Sequence, residues 1–130
     1  MPTGNSYSPT AEGLISAHAK DVGELLGLGF KIVPAVRTVT GTTDTIVLGD
    51  SGNAVRYTSG SAVAVSVPSG LGTGFTCLLL QLGAGVFTVT GTTGATVVNR
   101  QSQFASAGQN AQCSLFADAT DHLVLGGDTA

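Results

Sequence analysis

Asp118, Asp121 and His122 are the one place in this 130-residue chain where titratable side chains crowd closely enough for acid–base work or metal binding. The same run, Asp118-Ala-Thr-Asp-His122, has the composition of a hairpin turn, where Asp and Thr hydrogen-bond to their own backbone. A turn is the expectation. His18, with Asp21 one turn further on, falls within an apolar stripe and reads as a packed or capping histidine. Gly70–Gly74 and Gly83–Gly85 have the glycine density of a phosphate loop. Neither is followed by a helical pattern or carries the Lys-Ser/Thr of a nucleotide-binding loop, so both read as turns. Gly126-Gly127-Asp128 reads as a chain end for the same reason. No Gly-x-Ser-x-Gly run occurs, and no His–Asp pair has an evident serine partner. Cys77 and Cys113 sit inside strand-like runs without Cys-x-x-Cys or nearby His spacing, as reduced core thiols do. The expectation is therefore no enzyme, no catalytic residues, no cofactor and no metal.

Composition points instead to contact surfaces. Charged residues make up 10% of the chain, against roughly 25% in an average soluble domain. Between Tyr57 and Ala117 the only charged side chain is Arg100. So little charge implies either a membrane or extensive subunit burial. Gly, Ser and Thr break every apolar segment well short of the ~18–20 residues a spanning helix needs. A transmembrane barrel would need aromatic girdles, and the chain has two Tyr and no Trp. Burial against other copies of the chain is the better reading. The five basic residues, Lys20, Lys31, Arg37, Arg56 and Arg100, are scattered, which leaves no electrostatic footprint for nucleic acid. The opening residues lack the basic and apolar stretches of a signal peptide, so synthesis in a cytoplasm is expected.

Two parts must position any such surface. Residues 1–35 comprise a polar arm, Met1–Ser8, and one short helix. That helix begins at Ser8-Pro9, with an N-cap, a proline at the first helical position and Glu12 in the first turn. Leu14, Ile15, His18, Val22, Leu25 and Leu26 form its narrow stripe, which Gly13 and Gly23 weaken. From residue 36 to 130 the periodicity changes to two. Nine short runs are strand candidates: Arg37–Thr40, Thr45–Leu48, Ala54–Thr58, Ala62–Val67, Gly74–Leu82, Val86–Thr90, Ala95–Asn99, Ala111–Ala117 and His122–Leu125. Turn residues separate them. The fold class expected is mainly β, a small antiparallel β-sandwich or barrel with an N-terminal arm and one short helix. A six-residue echo, Thr38–Thr43 and Thr88–Thr93, is too short to establish a repeat and reads as two similar Thr-rich turns.

Alternation assigns the faces. In Ala62–Val67 the valines 63, 65 and 67 share one side, while Ala62, Ala64 and Ser66 form a small-residue side where another surface can approach. In Gly74–Leu82, Phe75, Cys77 and Leu79 share one side; Thr76, Leu78, Leu80 and Leu82 share the other. A sandwich strand ordinarily shows one face to water. This one is apolar on both, so its second face is covered either by the helix stripe or by a neighbouring subunit. The narrow stripe makes the helix a poor lid, and a neighbour is the expectation.

The order of motifs resembles a β domain of tailed-bacteriophage virion proteins, the tail-fibre modules and the head-fibre or capsid decoration proteins. The residues that carry the resemblance are Asp50-Ser-Gly-Asn-Ala-Val-Arg56, Val65-Ser-Val-Pro68, Gly74-Phe75, Gln81-Leu-Gly-Ala-Gly-Val-Phe-Thr-Val89, Gly94 and Asp121-His-Leu-Val-Leu-Gly-Gly-Asp128. They span about Asp44 to Ala130. Leu123 stands where many relatives carry Trp, and the first forty residues match no such module.

What the resemblance implies is a homotrimer on the outer capsid surface of a virion, made in the host cytoplasm, with the major capsid protein as partner. In such proteins the N-terminal part often supplies attachment, which places capsid contacts on Pro2, Asn5, Tyr7, Leu14 and Ile15. The trimer interface would then use Ala62, Ala64, Ser66, Thr76, Leu78, Leu80 and Leu82. A tail-fibre module recognising host-surface glycan is the alternative; such sites usually stack sugars on exposed aromatics, which are scarce here.

Overall fold

In a computed structural model the described residues are 33–130, and Pro34–Ala130 forms one compact unit. The expected arm and helix, with Pro2, Asn5, Tyr7, Leu14 and Ile15, lie outside the described residues. The described part is mainly β. Its strands in chain order are β1 (Val36–Val39), β2 (Thr43–Thr45), β3 (Ala54–Tyr57), β4 (Val63–Val67), β5 (Thr76–Gln81), β6 (Phe87–Gly91), β7 (Thr96–Val98), β8 (Gln112–Ala119) and β9 (His122–Gly127). A short 3₁₀ turn, Leu48–Asp50, lies between β2 and β3. Among the described residues, no helix is long and apolar enough to cross a membrane.

Each strand falls in or beside a run whose alternation predicts it, but the pairing corrects the antiparallel sandwich or barrel. One sheet has six strands in the order β1-β3-β5-β8-β9-β7, and the other has three in the order β2-β4-β6. The pairs β1–β3, β3–β5, β2–β4 and β4–β6 are all parallel. The chain therefore winds as a short solenoid-like coil, giving each turn one strand to each sheet. The physical reason lies in the corners. A two-residue hairpin requires positive φ at its glycine. Gly41, Gly60, Gly83 and Gly85, which lead from the larger sheet to the smaller, are not among the positive-φ glycines. These corners carry the chain across to the other sheet without reversing it against the strand it has just left. Antiparallel pairing is confined to β5–β8 and β8–β9.

Stacked coils put equivalent residues in columns. Val55 lies beside Leu79, Tyr57 beside Gln81, Val63 beside Phe87 and Val65 beside Val89. These inward residues belong to one buried cluster with Cys113, Leu115, Leu123 and Leu125, except Gln81, which is also buried. Leu123, at the position where Trp was a possibility, is fully packed. The true internal repeat is thus Ala54–Val67 on Leu78–Gly91. The six-residue echo joins non-equivalent places, since Thr38–Thr43 spans β1 to β2 and Thr88–Thr93 begins in β6.

Coil-to-coil contact is tightest at the third corner. Leu82 and Gly83 N–H groups both donate to the Tyr57 carbonyl, and Gly85 N–H to the Ser59 carbonyl. A Cβ on Gly85 would stand 1.9 Å from the Ser61 carbonyl oxygen, so only glycine fits. Past this corner the last coil is covered on both sheets. β8 pairs with β5, while Val89 donates to the Phe104 carbonyl and Ser106 to the Phe87 carbonyl.

Candidate functional site

The larger sheet presents a partly apolar outer face built by register. One row runs Val36, Ala54, Leu78, Ser114, Gly126; the next runs Thr76, Phe116, Val124, Val98. Phe116 is 47% exposed and Leu78 43%, unusual for side chains of their size on a rigid sheet. Thr76 and Leu82 are also exposed and Leu80 is half-buried, as the alternation predicted. Between β3 and β5 the face sinks into an apolar depression of about 230 Å³. Pro34, Gly52, Ala54, Thr76, Leu78 and Ser114 are among its lining residues. Sequence reasoning missed Phe116. Its signal was available, because Phe116 sits on the polar side of a run whose Cys113, Leu115 and Ala117 face the core.

The outer face of the smaller sheet is a different surface. Ala64 lies between Thr43 and Thr88, and Ser66 between Thr45 and Thr90, so the small residues are flanked by threonine on both sides. Ala62 and Ala64 are exposed and Ser66 is half-buried. Val63, Val65 and Val67 point from this sheet into the same core that Cys77 and Leu79 enter from the other. The two outer faces therefore look in opposite directions. This corrects the expected interface, because Ala62–Ser66 and Thr76–Leu82 cannot both face one threefold axis.

Inside the first coil lies a charged network that the sequence did not reveal. Arg37 Nη1 and Nη2 donate to Asp44 Oδ1 and Oδ2 at 2.7 and 3.0 Å, and Nε and Nη2 donate to Asp50 Oδ1 and Oδ2 at 3.0 and 2.9 Å. The Tyr57 hydroxyl donates to Asp44 Oδ2, and the Val47 N–H to Asp50 Oδ2. Both carboxylates raise the Arg37 pKa, and burial followed by the charge of Asp44 raises that of Tyr57. Every charge here is partnered, and no oxygen is left aimed at a cavity. Inward charges of this kind protect an end strand from pairing with another chain.

The remaining chemistry-bearing residues are built into turns. Asp121, at φ 55°, turns the β8–β9 hairpin, and its Oδ1 accepts a hydrogen bond from Gly70 N–H at 2.7 Å. Asp118 pairs with His122, which holds its carboxyl below the usual range. Gly70, Gly72 and Gly74 have positive φ and form the loop entering β5. Gly127 closes on the Gln112 carbonyl, and Asp128 accepts the Gln112 N–H. Cys77 and Cys113 are buried free thiols, pushed up by burial to about 12 and about 11. Among the described residues, no three His, Cys, Asp or Glu side chains converge on a point where a metal could sit.

No family model, curated protein or solved structure matches this chain.

Proposed function

We propose that this chain is a structural virion protein of a tailed phage, a capsid decoration protein of the cement or head-fibre kind. It binds the outer capsid surface as a homotrimer, stabilises the shell and catalyses no reaction. The observation that carries the reading is the outer face of β5, β8 and β9. Leu78, Phe116 and Val124 stand exposed there on a rigid sheet, an arrangement suited to burial against another copy. The motif order from Asp50 to Asp128 supplies the virion setting. The particle contact belongs to residues 1–35, with Pro2, Asn5, Tyr7, Leu14 and Ile15 touching the major capsid protein. Three arms on one trimer multiply weak contacts into firm attachment.

Co-sedimentation with capsids stripped of decoration tests this. The full chain should pellet with them, and a chain lacking Met1–Ser8 should not. Capsid binding that survives the deletion removes the arm's role. Binding to host-surface glycan, with none to capsids, would make the chain a tail-fibre module instead.

A further inference from the structure

The outer face of the larger sheet has two unlike halves. The β1–β3–β5 half holds the 230 Å³ depression floored by Ala54 and walled by Leu78. The β8–β9 half holds the projecting Phe116, with Val124 beside it in register. An apolar cavity of about 150 Å³ suffices for a benzene ring, so the depression has room for a benzyl side chain. The halves also differ in charge. Arg56 is exposed on β3, its Nε donating to Thr38 Oγ1, and Asp118 is exposed on β8 and kept ionised by His122. Docking like halves together would bring Arg56 toward Arg56 and Asp118 toward Asp118. Docking unlike halves places opposite signs in one interface.

The geometry points to a head-to-tail contact between copies of this chain, in which Phe116 of one copy enters the depression beside Leu78 of the next. The inference rests on the self-association proposed above and specifies its symmetry. A contact between two different patches repeats from copy to copy and closes into a ring when the rotation allows; a twofold dimer instead repeats one patch on both sides. Three copies each offering one knob and one hole form such a ring. The smaller sheet, with its threonine and small-residue surface, then stays on the outside.

Cysteine pairing between separately made variants tests this. Phe116→Cys and Leu78→Cys change exposed positions, and the native thiols, buried and held protonated, do not compete below pH 9. The two proteins are mixed in urea, refolded, checked by circular dichroism and oxidised; intact masses then count the linked pairs. The expected result is Phe116→Cys joined to Leu78→Cys at least tenfold more often than either joined to itself. Phe116→Cys linking to itself as readily would establish a twofold contact and overturn the inference. Absence of linkage in samples that light scattering shows to be oligomeric would overturn it while leaving self-association standing. A monomer by light scattering would remove both.

Discussion

Arg37 on β1 grips Asp44 on β2 through two parallel N–H···O bonds, and so ties the first strand of one sheet to the first strand of the other. In the next coil the same inward positions are filled by Val55 and Val65, and in the third by Leu79 and Val89. The polar pair replaces hydrophobic packing only at the end of the stack. Arg37→Leu leaves Asp44 and Asp50, whose side chains are 9% and 6% exposed, without a counter-charge. The expected cost is about 3 kcal/mol, read from the urea midpoint, because a nearly buried charge loses its partner.

Gly85 and Gly60 provide a matched pair. Gly85→Ala forces a methyl group against the Ser61 carbonyl, and the two coils must separate. A loss of about 3 kcal/mol or more is expected, beyond ordinary overpacking, since backbone rather than side chain must yield. Gly60→Ala meets nothing within 4 Å and should change stability by no more than about 0.5 kcal/mol. Thermal unfolding of both variants measures the contrast.

The nine strands were legible because alternation of apolar and polar residues marks an extended chain whatever its partners. Pairing was not legible, since alternation is the same in a parallel coil and an antiparallel sheet. The deciding quantity was the backbone at Gly41, Gly60, Gly83 and Gly85, where glycine signals a corner but not the sign of φ. The outward placing of Leu78 and Leu80 was readable from alternation alone, and so were the reduced cysteines. Arg37, Asp44, Asp50 and Tyr57 look scattered along the chain and meet only when the coils stack. The offset that aligns Ala54–Val67 with Leu78–Gly91 was present in the sequence. It was hidden because Val63 and Phe87 or Tyr57 and Gln81 share inwardness but not chemistry.

The buried thiols set an alkaline limit. Burial raises Cys77 to about 12 and Cys113 to about 11, whereas unfolded thiols ionise near pH 8.5. The folded state therefore keeps protons that the unfolded state releases. The resulting stability is complete below about pH 8.5 and is lost as pH rises through the two folded values. Urea midpoints should fall more steeply above pH 9 in the native chain than in a Cys77→Ala/Cys113→Ala variant. At pH 8 the native thiols should react with a disulfide reagent only after unfolding.

Asp121 should behave as a turn residue. Asp121→Ala loses the acceptor for Gly70 N–H and strains a positive φ, at a cost of about 1–2 kcal/mol. Asp121→Asn keeps both the acceptor and the tolerance of that conformation and should cost at most about half as much. Equal losses from the two, measured by urea unfolding, would mean the carboxylate's charge matters rather than its geometry.

The central claim is that the outer face of the larger sheet is buried between copies of the chain. Light scattering on the purified protein at micromolar concentration tests it most directly. The mass expected is three times that of the 12.9 kDa chain, falling to one chain when Phe116→Ser and Leu78→Ser are combined. A native protein with the mass of a single chain at that concentration would contradict it.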